Sequence, residues 1–176
     1  MNIWHDISPE RITPQSFIAT IEISKGGKNK YELDKETGLL VLDRVLFTSV
    51  QYPANYGFIP RTYAGDGDPL DVLVLCSESI APMTLVRCRP IGILNMIDDG
   101  RGDEKVIAVC ENDPLYNGYN DISELPPHLF AEIRHFYEIY KTLELKQTVV
   151  REIEGAERAQ KVVLDCIERY ANKFDI

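Results

Sequence analysis

Three carboxylates fall within six residues at Asp66-Gly67-Asp68-Pro69-Leu70-Asp71, and the apolar run Val72-Leu73-Val74-Leu75 follows at once. Like charges this close repel, and Gly67 and Pro69 break regular structure. The stretch reads as a loop feeding a buried strand, and a bound cation makes such a loop tolerable. Hard divalent ions take oxygen ligands, and Mg²⁺ in particular combines carboxylates with substrate phosphates. A second acidic stretch, Asp98-Asp99-Gly100-Arg101-Gly102-Asp103-Glu104-Lys105, follows the apolar run Ile91 to Met96. Either loop alone is readable as a solvated turn. Two of them at strand ends are expected to face one another across a sheet.

The rest of the chain supplies strands first and helices last. Phe17 to Ile23 alternates, with Phe17, Ala19, Ile21 and Ile23 on one face and Ile18, Thr20 and Glu22 on the other. A turn over residues 24–29 leads to a second alternating run, which places Lys30, Glu32 and Asp34 on one face, so a hairpin is expected. Solvent exposure is the ordinary fate of that polar face, though a charged face of this kind also lines sites. Leu39 to Leu46 reads as a third strand carrying Arg44, residues 52–57 read as a loop, and Val72 to Leu75, Leu85 to Met96 and Val106 to Val109 complete about six strands. Asp121 to Glu124 resembles a capping box, and Pro126-Pro127 suits a helix start. Leu129, Ile133, Phe136, Tyr137 and Tyr140 keep helical spacing, with Phe130 and Ile139 giving that helix a second apolar face. A second helix, from about Glu154 to Tyr170, carries Ala159, Val163, Cys166 and Tyr170 on one face. Strands followed by two helices suggest a small barrel with helices packed outside it, in one domain over residues 1–176.

Composition narrows the function classes. A net charge of −9 argues against a nucleic-acid surface. An anionic substrate would have to be held through metal ions and a local patch of Lys and Arg. No apolar run approaches the roughly 18 residues of a membrane span, and MNIWHDIS is neither a basic leader nor an apolar signal core. Four widely spaced cysteines without a CxxC fit free thiols in a reducing cytosol better than a zinc site. Counted from Asp66, an EF-hand fails on spacing, because its fifth, sixth and twelfth positions are Leu70, Asp71 and Ser77. The chain has no P-loop, HExxH or GxSxG motif, and its three histidines are scattered.

Asp66 to Asp71 resembles the signature of the soluble family I inorganic pyrophosphatases. Glu22-Ile23, Lys30 to Lys35, Asp43-Arg44, Tyr52 to Gly57, Arg89 to Gly92, the second acidic loop and Tyr140-Lys141 resemble family segments in the family's order, over roughly residues 15 to 145. The chain is most similar in this respect to the short prokaryotic form. It departs from many members in lacking a Gly-Trp pair before the last helix; its single tryptophan is Trp4. The resemblance implies an OB-like five-stranded β-barrel with two flanking C-terminal helices, a mainly β or α+β class. It also implies a cytoplasmic homohexamer that hydrolyses pyrophosphate with several Mg²⁺ ions. On that reading Asp66, Asp71, Asp98, Asp103 and Asp68 hold metal, and Asp68 is the general base. Lys30, Arg44, Lys105 and Lys141 neutralise the phosphates, while Tyr56 and Tyr140 donate to their oxygens. Glu22, Glu32 and Tyr52 orient these groups. Two rivals stand beside it: a metal-dependent phosphohydrolase of another substrate, and a non-catalytic OB-type domain with a structural cation.

Overall fold

The computed structural model of the chain describes residues 1–174; the last two positions of the expected 1–176 domain lie outside the described residues. Eight strands and two α-helices follow one another as β1 (Phe17–Ile23), β2 (Asn29–Leu33), β3 (Leu40–Val45), β4 (Asn55–Ile59), β5 (Leu70–Leu75), β6 (Leu85–Asp98), β7 (Arg101–Cys110), α1 (Pro127–Ile139), β8 (Thr148–Gly155) and α2 (Ala156–Phe174). The sheet runs β1-β4-β5-β7-β6-β8, and β1 also pairs with β6. That last pairing closes a five-stranded ring of β1, β4, β5, β7 and β6, with β8 added to the far half of β6. Closure removes the free edges that an open sheet would expose. Every pairing in the ring is antiparallel except β5–β7.

β6, at 14 residues, is long enough to serve three partners, β1, β7 and β8. Its first residues pair with β1 and its last with β8, and register shifts fall at Pro90/Gly92 and Leu94/Met96. Pro90 has no N–H to give to a ladder, which suits an irregular position. β1 departs from the alternation expected of it. All seven residues are buried, Thr20 and Glu22 included, because the ring lies on one face and other elements cover the second.

Two strands were not legible from local chemistry. Residues 52–57 carry Pro, Asn and Gly, yet Asn55–Ile59 is a fully buried strand between β1 and β5. The Asn55 side chain accepts from Lys25 N–H and Ile80 N–H and donates to Glu78 C=O, so it satisfies three backbone groups of neighbouring loops. Gly57 is required there: a Cβ would stand 1.9 Å from the Thr20 carbonyl oxygen. Thr148–Gly155 is the other unanticipated strand, and it delays the last helix to Ala156. α2 lays Ala159, Val162, Val163 and Cys166 against the core formed with Phe17, Ile59, Val72 and Val106. α1 buries Ile133, Phe136 and Tyr137 with Tyr52, Tyr56, Leu73 and Ile107. Phe130 and Ile139, its second apolar face, are half-buried.

Candidate active site

Parallel pairing of β5 with β7 puts Asp71 directly opposite Lys105 at the mouth of the barrel. Lys105 is 3% exposed and its Nζ donates to Asp71 Oδ2 at 2.9 Å, to both Asp103 oxygens at 3.3 Å and to the Tyr56 hydroxyl at 3.3 Å. The ammonium also sits 5.2 Å and 5.3 Å from the centroids of the Tyr56 and Tyr137 rings, a favourable place for a cation. Burial works against its charge, but Asp71, Tyr56 and Asp103 outweigh burial and hold its pKa well above the usual lysine value. The two acidic loops thus meet across one buried lysine.

The mouth opens into a cleft of about 480 Å³. Asp66, Asp68 and Asp71 line it from the first loop, and Asp98, Asp103 and Lys105 from the second. Glu22, Lys30, Glu32, Tyr56, Tyr140 and Lys141 complete the set of expected residues found on its walls. Lys141 pairs with Asp98, and Lys30 pairs with Glu32 and, at 3.4 Å, with Asp43. Arg44 and Tyr52 stand just outside this lining. Arg44 lies opposite Lys30 across the β2–β3 hairpin, shares Asp43 with it and binds Glu144 at 2.8 Å. Tyr52 is buried behind Tyr56, with ring centroids 5.3 Å apart.

Burial and neighbouring charge shift several groups. Burial, with Asp103 in support, raises the Asp71 carboxyl against the opposing pull of Lys105. Burial and then Asp71 raise Glu22 to about 8. Asp66 rises by burial, with Asp68 and Asp103 adding to it. The Tyr56 and Tyr140 hydroxyls are raised by burial, so both remain proton donors at neutral pH.

Among the described residues no three His, Cys, Asp or Glu side chains converge in a ready metal cluster. Lysines stand in that place: Asp71 and Asp103 face Lys105, Asp98 faces Lys141 and Asp68 faces Lys35. The donor set is nevertheless all oxygen, which fits a hard divalent cation and not a soft metal.

Lys35, which follows β2, lines the cleft and pairs with Asp68, and sequence reasoning did not single it out. It falls off the alternation of Lys30, Glu32 and Asp34, so periodicity offered no signal. Glu144, the partner of Arg44, was also missed; it lies in a short 3₁₀ turn after α1.

A closed OB-like barrel whose mouth interleaves lysines with carboxylates defines a class: small barrel proteins with a cleft suited to a metal-bound, multiply charged anion. The chain belongs to the inorganic pyrophosphatase family, whose model matches residues 19–171. It is 52% identical over 171 residues to a soluble inorganic pyrophosphatase of Chlamydomonas reinhardtii, covering 97% of this chain and 89% of that protein. The inorganic pyrophosphatase structure from Thermus thermophilus superposes with a TM-score of 0.92 at 39% identity, covering 97% of this chain and 99% of the other. The Helicobacter pylori inorganic pyrophosphatase superposes with a TM-score of 0.89 at 42% identity, covering 94% and 98%.

Proposed function

We propose that this chain hydrolyses inorganic pyrophosphate to two orthophosphates in the barrel-mouth cleft, as a Mg²⁺-dependent enzyme. The observation that carries the reading is the interleaving of lysines and carboxylates in one cleft, with Lys105 bridging Asp71 and Asp103. Pyrophosphate presents two charged phosphates and no other handle, so its recognition needs cations on every side. Asp66, Asp71 and Asp103 would hold Mg²⁺, more than one ion being expected, with Asp98 and Asp68 beside them. When bound, Mg²⁺ neutralises phosphate charge and lowers the pKa of water toward neutrality.

The chain's own residues do the rest. Lys30, Lys105 and Lys141 exchange carboxylate partners for phosphate oxygens, with Arg44 entering from the hairpin. Tyr56 and Tyr140 keep their protons and donate to the same oxygens. Asp68 takes the proton of the attacking water. Glu22 accepts from Leu33 N–H at 2.9 Å and so ties β2, the strand of Lys30, to β1. Glu32 holds Lys30, and Tyr52 backs the Tyr56 ring. Positioning of this kind is the main protein contribution to phosphoryl transfer.

Four free thiols favour a reducing cytoplasm. A homohexamer is supported by exposed apolar side chains on the β2–β3 hairpin and beyond it, including Val41, Leu42, Val45, Phe47 and Leu143. A phosphohydrolase of nucleotides would need a wall for base or sugar, whereas the polar walls of this cleft are spent on lysines, carboxylates and tyrosine hydroxyls. Comparing kcat/KM for pyrophosphate and ATP in Mg²⁺ tests the reading. A preference of several orders of magnitude for pyrophosphate is expected, and near-equal values would transfer the cleft to the broader phosphohydrolase class.

A further inference from the structure

The first acidic loop is built on an N-terminal segment that lies outside the cleft. Trp4 is 5% exposed, and its Nε1 donates to the Thr62 carbonyl at 2.9 Å. Arg61 N–H donates to the Trp4 carbonyl at 2.9 Å, and the Arg61 guanidinium donates to the His5 carbonyl at 2.8 Å. Arg61 has φ +56°, a left-handed conformation that a non-glycine residue adopts only when its surroundings hold it. The segment around Trp4 is what holds it. The indole also stacks on Tyr63, with 6.5 Å between centroids, and packs edge-on against Phe174 of α2. Tyr63 lies beside the loop itself: its hydroxyl stands 3.6 Å from where a Cβ on Gly67 would be, and Gly67 has φ +85°.

A second line reaches the loop from the other side. The Lys35 ammonium sits 5.6 Å from the centroid of the Trp4 ring and pairs with Asp68. Asn2 Nδ2 donates to the Lys35 carbonyl at 2.9 Å, so the same segment also fixes the Lys35 backbone. Trp4 therefore touches both the root of the Asp66–Asp68 loop and the cation that faces Asp68.

We propose that Trp4 is a positioning residue for the reaction, setting the Asp66–Asp68 loop through the Arg61–Thr62 backbone and aiming the Lys35 ammonium at Asp68. The proposal rests on the reading of Asp68 as the proton acceptor. Trp4→Phe keeps an aromatic ring for Lys35 but loses the indole N–H and part of the ring's bulk; Trp4→Leu loses the aromatic ring as well. Misplacement by about 1 Å can cost on the order of 10²-fold in rate, so Trp4→Leu is expected to lower kcat at least about tenfold and Trp4→Phe less. KM for pyrophosphate should move less than about twofold, because the residues assigned to phosphate binding are untouched.

Two measurements separate positioning from general damage. In a double-mutant cycle, Trp4→Leu and Lys35→Met should be non-additive in kcat, since one acts through the other. In hydrogen exchange on the protein without pyrophosphate, Trp4→Leu should speed exchange at Ala64, Gly67 and Asp68 while the amides of β5 and β7 keep parental rates. Additive kcat effects, or unchanged exchange in residues 62–68, would overturn the proposal. A parent protein inactive on pyrophosphate would instead overturn the assigned function, and the exchange result would still decide whether Trp4 holds the loop.

Discussion

Glu22→Gln should flatten the pH dependence of folding stability. Glu22 is 7% exposed, accepts one backbone N–H from Leu33 and has two acidic neighbours, Asp71 and Glu32, against one cation, Lys30. Its carboxyl is raised from the ordinary 4.5 to about 8, by burial first and Asp71 second. For a group raised on folding, the stability contribution is complete below the unfolded value and is lost as pH rises through the folded one. The window here runs from 4.5 to about 8. Inside it the metal-free parent should lose about 1.4 kcal/mol per pH unit from Glu22 alone. Between pH 5.5 and 7.5 that amounts to roughly 2–3 kcal/mol, a large part of a typical domain's stability. Gln keeps the carbonyl oxygen for Leu33 and cannot ionise, so this slope disappears. Other titrating groups are common to both proteins and cancel in the difference. Urea unfolding in EDTA, followed by Trp4 fluorescence across this range at fixed protein concentration, measures it. Parallel stability-versus-pH curves for parent and variant would refute the buried, neutral Glu22.

Asp68→Asn should stay folded and lose roughly 10²–10⁴ in kcat, with a smaller change in KM, if Asp68 accepts the water's proton; a kcat within threefold of the parent would remove it from that role. Lys105→Met leaves Asp71 and Asp103 without their shared cation, so it should cost about 3 kcal/mol of metal-free stability near pH 8. The cost should shrink near pH 5, where the raised Asp71 carboxyl takes up a proton, and an equal loss at both pH values would contradict the pairing. Light scattering at micromolar concentration should report a hexamer of the 20.0 kDa chain, and a monomer would leave the exposed hairpin apolar face unexplained.

The parts of the fold that were legible in sequence are those governed by periodicity. β1, β2, β3, β5, β6 and β7 and both helices were all visible as alternating, continuous or helical apolar patterns. β4 hid behind turn chemistry, because Asn55 and Gly57 are there for contacts to neighbouring loops and to Thr20 rather than for turning. β8 is half-exposed, and its strand state depends on pairing with the distant β6. The two acidic loops were legible as carboxylate clusters recurring at strand ends, and the lysines, tyrosines and Arg44 were legible only through the family resemblance. Lys35 was not, because only the folded chain brings the turn after β2 to Asp68. Burial of Glu22 was not legible either: both faces of β1 are covered in the folded chain, which alternation along a single strand does not report.

The cleft is expected to turn pyrophosphate into two phosphates only when a divalent cation joins its carboxylates. Phosphate release from pyrophosphate, measured on one preparation after EDTA treatment and again after Mg²⁺ is restored, tests it directly. Loss of turnover in EDTA, full recovery with Mg²⁺ and poor substitution by Ca²⁺, which is larger and accepts irregular geometry, are expected. Undiminished phosphate release in EDTA would contradict it.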